Sequence, residues 1–199
     1  DPRVGRFFAV DPLTAKYPYY SPYQFSGNRP IDMIELEGLE PTASEAAKMS
    51  EDVYDPRGII LDGGWEYDNE NNIYLDQTNK NNGFSSIVYS RLIDGKKEYA
   101  YVTAGTDDTA DLLEDIIQPM GYSNQVLHSI NNAKALRLVL GKDANITWVG
   151  HSLGGLLASA NALAAGGYAI TFNAAGLSDG VKEFYSLNRR AKIEAYVVE

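Results

Sequence analysis

Ile146-Thr147-Trp148-Val149 leads into Gly150-His151-Ser152-Leu153-Gly154-Gly155, and an apolar, small-residue stretch beginning Leu156-Leu157-Ala158-Ser159-Ala160 follows. A short apolar strand, a turn with glycine two residues before and two after a serine, and a helix are expected in that order. The glycines answer a steric need, since the turn is so tight that strand and helix can pass only where side chains are missing. The serine is held in a strained conformation with its hydroxyl presented above the sheet edge, while the helix amino terminus offers positive partial charge and the Leu153 N–H. Ser152 is therefore the candidate nucleophile and Gly150 and Gly154 the elbow glycines. The bland alternative makes Ser152 a residue that caps a helix. A phosphate cradle fits less well, because no lysine follows in the P-loop manner and no glycine fingerprint precedes a ribose-binding acid.

Working outward, Leu153–Ala165 reads as a helix closed by Gly166-Gly167, Tyr168–Phe172 as a strand and Ala191–Glu199 as another. Strand, helix and strand in succession make right-handed crossovers, so the carboxyl half is expected to hold a parallel sheet with flanking helices. Upstream, Ser123–Leu140 carries Val126, Ile130, Ala133, Leu136 and Leu140 on one helical stripe, closed by Gly141. Phe84–Ile93 and Glu98–Thr103 flank Asp94-Gly95, a strong hairpin signal. Ala110–Ile117 has helical spacing, Ser44–Val53 is a helix with Thr42 or Ser44 as cap, and the Asn-, Asp- and Gly-rich 63–82 reads as a long surface loop.

The chain has 199 residues, of which 44% are hydrophobic and 11% aromatic, enough for one substantial core. With 17 Lys+Arg against 27 Asp+Glu the net charge is −10, which excludes nucleic acid as the expected partner, since that affinity comes from cations displacing counterions. An acidic protein is also repelled by anionic headgroups, so any approach to a lipid surface must be local and apolar. There is no cysteine, hence no disulfide, no thiolate nucleophile and no cysteine-held metal. No cofactor is expected. The chain begins at Asp1 with no leader-like segment, and the natural start is expected upstream.

Val149-Gly150-His151-Ser152-Leu153-Gly154-Gly155, the alanine-rich helix and Thr171-Phe172-Asn173-Ala174-Ala175-Gly176 together resemble the class 3 lipases. Val102-Thr103-Ala104-Gly105-Thr106 and Asp111–Ile116 are similar to that family's strand-end oxyanion segment and the helix after it, with Ala104 where the family usually carries Arg. The resemblance implies a lipase-like α/β-hydrolase, mostly parallel sheet with flanking helices, and an oxyanion hole built from Thr106 and the N–H of Leu153. Taken alone, Thr106 reads equally well as an ordinary turn or capping threonine. The acid and the histidine of that family fall beyond the strand matching Lys192–Val198, so the chain is expected to be truncated and, by itself, inactive, because a serine hydroxyl is weak until a base activates it. His151, adjacent to Ser152 on the elbow, and His128, ahead of the nucleophile in the chain, are expected to be structural rather than basic catalysts. Asp179 reads as a solvated loop aspartate, and 107–122 as either an apolar lid or core.

The first 41 residues differ in composition: Asp1-Pro2-Arg3-Val4-Gly5-Arg6-Phe7, Val10-Asp11-Pro12-Leu13, Ser21-Pro22-Tyr23-Gln24-Phe25, Asn28-Arg29-Pro30 and Glu37-Gly38-Leu39-Glu40-Pro41. They read as a turn-rich extended segment and resemble the closing part of an Rhs repeat-associated core, with Glu35-Leu36-Glu37-Gly38 in place of the usual boundary element for self-cleavage. The two resemblances imply residues 1–41 as the end of an Rhs cage and residues 42–199 as a polymorphic-toxin hydrolase: a secreted effector that meets the membrane surface of a target bacterial cell, acts on a lipid or other acyl ester, and has an immunity protein as partner. Rival expectations are a non-lipolytic esterase or thioesterase, a catalytically incomplete binding domain, and a structural closing segment of the cage.

Overall fold

The computed structural model describes residues 40–56, 60–73, 75, 78–79, 83–105, 124–174 and 176–197. The chain divides into Asp1–Glu40 and Pro41–Glu199, and all described residues except Glu40 lie in the second unit. The turn-rich segment 1–39 and the helical spacing at 110–117 lie outside the described residues.

The second unit is an α/β fold. Helix α1 (Ala43–Asp52) is followed by the short β1 (Glu66–Tyr67), α2 (Asn69–Asn72) and β2 (Thr78–Asn79). Next come the hairpin β3 (Phe84–Ile93) and β4 (Lys96–Thr103), helix α3 (Asn124–Leu140), β5 (Asn145–His151), α4 (Leu153–Ala165), β6 (Gly167–Phe172), α5 (Asp179–Phe184) and β7 (Ala191–Tyr196). The strand order is β1-β3-β4-β5-β6-β7, with β2 also on β3. Strands β4 to β7 run parallel, as the crossovers required, and β3 adds to them antiparallel through a turn at Asp94 (φ 50°) and Gly95 (φ 77°). Two positive φ values in succession give a hairpin turn whose twist matches that of the strands.

One sheet face is closed by α3 and α4. Val88, Tyr101, Trp148 and Ala169 meet Ala133 and Leu136 of α3 and Ala158, Ala162 and Ala165 of α4. Alanines on α4 let its backbone come close enough to the sheet to enclose Trp148, whose Nε1 donates to the Gly166 carbonyl at 2.9 Å. Each such fully buried large side chain contributes about 1.5–3 kcal/mol. The stripe expected on α3 is buried at Val126, Ile130, Ala133 and Leu136, and Leu140 packs at its edge. Gly141 leaves the helix at φ 91°.

Helix α1 is tied to the sheet by polar contacts. Arg91, 3% exposed on β3, donates from Nε to Glu98 at 2.7 Å and from Nη1 to Glu45 of α1 at 3.2 Å, with its guanidinium over the Trp65 ring. Farther along, Tyr89 donates its hydroxyl to Asp52 at 2.8 Å. Thr42 caps the helix, its hydroxyl accepting from the Glu45 N–H while the Glu45 carboxylate accepts from the Thr42 N–H.

Two expectations need correction. The 63–82 segment is not simply a surface loop: Trp65 is fully buried, and the Asn72 side chain donates to the Val88 carbonyl at 2.9 Å and accepts from its N–H at 2.8 Å. An asparagine amide that copies a strand's hydrogen bonding explains why a turn-forming composition sits inside the fold. Asp179 does not lie in a loop but opens α5, which Ser178 caps, and its exposed carboxylate meets Lys182 of its own helix at 3.0 Å.

Candidate active site

Strand β5 ends at His151 and α4 begins at Leu153, leaving Ser152 alone to make the turn. Its backbone sits at φ 56°, ψ −124°, a conformation that L residues avoid and that costs of order 1–3 kcal/mol. Ser152 occupies the capping position of α4, yet its side chain makes no capping hydrogen bond. The turn is held through its backbone: the Ser152 N–H donates to the Phe172 carbonyl of β6 at 2.9 Å, and its carbonyl accepts from Gly155 at 3.0 Å and Leu156 at 3.3 Å.

The glycines are dictated by close neighbours, which are backbone at Gly150 and Gly154 and a side chain at Gly155. A Cβ on Gly150 would lie 2.2 Å from the Gly154 carbonyl oxygen, one on Gly154 would lie 2.1 Å from the Thr103 carbonyl oxygen, and one on Gly155 would lie 2.4 Å from Ala174 Cβ. Strands β4 and β5 and helix α4 thus converge at a point where only hydrogen fits. Leu153 is buried in the first turn of α4, where its N–H has no intrahelical carbonyl to accept it. The helix dipole adds positive partial charge at the same place.

The end of β4 completes the described part of the site. Thr103, 1% exposed and paired with Gly150, donates its hydroxyl to the Gly154 carbonyl at 2.7 Å, with the Val149 carbonyl at 3.3 Å. Beyond it, the Gly105 N–H donates to the Tyr54 hydroxyl at 2.8 Å. A Cβ built on Gly105 would meet Tyr54 Oη and the His151 carbonyl oxygen at 2.8 Å each, and Ser152 Cβ at 3.4 Å. Thr106, the candidate oxyanion donor, lies outside the described residues, as do 107–122 and Glu199.

His151 is half-buried at the end of β5, opposite Phe172. His128, on α3, places its ring 4.7 Å from that of Phe84. On β6 and β7 the Phe172 and Tyr196 rings stack at 5.5 Å, and the Glu194 carboxylate accepts from Tyr196 at 2.5 Å and from Tyr168. Burial pushes the Glu194 pKa up, but the two phenols and the Lys192 charge outweigh it, so the net shift is downward. Tyr196 is pushed up to about 12 by burial, then by its bond to Glu194 and that group's charge. Among the described residues no group of histidines, cysteines and carboxylates is arranged to hold a metal ion.

The structure thus brings together Ser152, Leu153, Gly150 and Gly154 as the spacing implied. It adds Tyr54, and it gives contacts to Thr103 and Gly105, which the sequence reading placed in the strand-end oxyanion segment without a role for either side chain or N–H. Thr103 is one β-branched residue in a strand, and Tyr54 is one of 14 tyrosines, so neither carries a local signal.

A family model for phospholipase-like proteins, described as a Tle-like phospholipase domain, matches residues 45–199. The chain is also similar to the extracellular phospholipase A1 of Serratia liquefaciens, 43% identical over 108 residues that make up 54% of this chain and 30% of that protein. The match therefore spans less than a third of the relative's length. The expected lipase-like α/β fold is present and the family that matches is a phospholipase domain, whereas residues 1–41, where the Rhs resemblance lies, are almost wholly outside the described residues and precede the family match. From Glu45 to its last residue the chain belongs to the Tle-like phospholipase domain family.

Proposed function

We propose that this protein hydrolyses carboxylic acyl esters of phospholipids with Ser152 as nucleophile. The observation that carries the proposal is the conformation of Ser152: a strained serine whose hydroxyl takes no part in capping the helix it starts. Strain that the surrounding backbone enforces at a single reactive side chain fits pre-organisation for attack.

In this mechanism Ser152 Oγ gives up its proton to a general base and bonds to the ester carbonyl carbon. The negative charge that builds on the carbonyl oxygen is met by the Leu153 N–H, the dipole of α4 and, on the resemblance to the class 3 lipases, Thr106. Collapse breaks the carbon–oxygen bond to the alcohol, which leaves with a proton as the lysophospholipid. Water then hydrolyses the acyl-serine, releasing the fatty acid and restoring the hydroxyl. Neither His128, tilted against the Phe84 ring, nor His151, next to Ser152 on the elbow, is assigned the role of base.

The substrate class follows from the family and from the relative's name, and secretion from that relative being an extracellular enzyme. In the fuller reading the protein is an effector delivered from an Rhs cage against the membrane of a target bacterium, with an immunity protein in the producer; the resemblance of residues 1–41 to an Rhs core is its support. The test is fatty-acid release from phosphatidylcholine and phosphatidylethanolamine vesicles by the natural full-length protein and by its Ser152→Ala variant. Release by the parent and none by the variant is the expected result; equal release by both would remove Ser152 from the chemistry.

A further inference from the structure

We propose that Tyr54 is a positioning residue for hydrolysis at Ser152, holding the peptide that leads into the oxyanion segment through the Gly105 N–H; this rests on the serine-hydrolase reading above. Three polar contacts run along α1 and the turn that follows it: Glu45 to Arg91, Asp52 to Tyr89, and Tyr54 to Gly105. The first two are buried and bind the helix to β3. The third differs in both place and partner. Tyr54 is 39% exposed, and its hydroxyl accepts from a backbone N–H at the end of β4, on the doorstep of the candidate nucleophile.

The closeness of the three residues follows from Gly105. The point where its Cβ would sit is 2.8 Å from Tyr54 Oη and 3.4 Å from Ser152 Cβ. Laid end to end, these distances put the phenol oxygen no more than 6.2 Å from Ser152 Cβ. Beyond Thr103 the parallel ladder with β5 has ended, so Gly105 has left the sheet and the phenol takes the place of a strand partner for its N–H. An N–H donor serves an oxyanion only if its position is fixed before the charge appears, and the Thr106 N–H lies on the next peptide. A half-exposed hydrogen bond adds little to global stability, whereas misplacing a donor by 1 Å can cost up to about a hundredfold in rate. Tyr54 should therefore matter far more to turnover than to folding.

The experiment compares the natural full-length protein with its Tyr54→Phe and Ser152→Ala variants on a short-chain phosphatidylcholine kept monomeric. It measures kcat, KM, the rate of covalent labelling by a fluorophosphonate, and Tm. Tyr54→Phe keeps the ring and removes only the oxygen. The expected result is a fall in kcat of about tenfold with KM within twofold, labelling slowed in parallel and Tm unchanged. Faster exchange of the Gly105 amide hydrogen in the variant would tie the loss to the contact itself. A variant with the parent's kcat, one whose KM alone rises, or one whose Tm falls by more than about 5 °C at unchanged kcat would overturn the proposal while leaving the role of Ser152 intact. A parent that neither turns over nor labels at Ser152 would sink the hydrolase reading and this proposal together.

Discussion

The Thr103 hydroxyl donates to the Gly154 carbonyl at 2.7 Å, joining the end of β4 to the first turn of α4 at a point shielded from solvent. The two segments thus linked are those to which the proposed mechanism assigns oxyanion donors, so their separation is set by one buried side chain as well as by the sheet. Thr103→Val preserves shape and removes the donor. It leaves the Gly154 carbonyl without this bond, and the expected cost is about 1–3 kcal/mol. Urea unfolding of both proteins checks this, and a loss below about 0.5 kcal/mol would show that the helix turn is held without Thr103.

Ser152 permits a test that separates strain from chemistry. At φ 56° a residue with a Cβ is disfavoured and glycine is not, so Ser152→Gly is expected to be more stable than Ser152→Ala by about 1 kcal/mol. Both variants should release no fatty acid. Equal stabilities would mean that the turn is not strained; release by either would mean that another group attacks the ester.

How much of the fold and site is legible in the sequence depends on whether the determinants are local. Gly150, Ser152 and Gly154 stand within five residues and announce a strand–turn–helix whose steric need is local, and Asp94-Gly95 does the same for the hairpin. The 63–82 segment misleads because its order is non-local: Asn72 acts as a strand partner only once Val88 is beside it, and the Trp65 ring meets the Arg91 guanidinium only once the sheet has formed. The Thr103 contact and Tyr54 escape notice for the same reason. Their bonds reach residues 51 positions away in each case, a relation that no spacing rule within one window contains.

The Arg91 cluster makes a separate prediction about stability. Arg91 and Glu98 are 3% and 1% exposed, and Glu45 closes the cluster at 6%. Removing one member strands its partners' charge in the interior, so Arg91→Ala and Glu98→Ala should each cost about 3–5 kcal/mol. The double variant should cost less than the sum, because once one charge is gone the other has lost its reason to stay. A double-mutant cycle by chemical denaturation reads the coupling. Strict additivity would show that the pair acts through packing alone.

Titration of Tyr196 and Glu194 gives the last prediction, and the sign is set by the direction of each shift. The folded Tyr196 pKa, about 12, is above the ordinary 10.0, so its contribution is complete below pH 10 and is lost as pH rises toward 12. Glu194 is shifted below its ordinary 4.5, so its contribution is present above that value and is lost as pH falls below it. The same hydrogen bond therefore fades at both ends of the scale. Tyr196→Phe should cost stability at pH 6–9, and the difference from the parent should shrink below about pH 4.5 and again above about pH 10. Tyr89 is also shifted upward, by burial and then by Asp52, so the parent's alkaline limb contains both tyrosines and only the difference between parent and variant isolates Tyr196. Urea midpoints from pH 3 to 11.5 measure it. A difference that stays constant across that range would mean that the Tyr196 ring, stacked on Phe172, contributes through contact and that its hydroxyl contributes nothing.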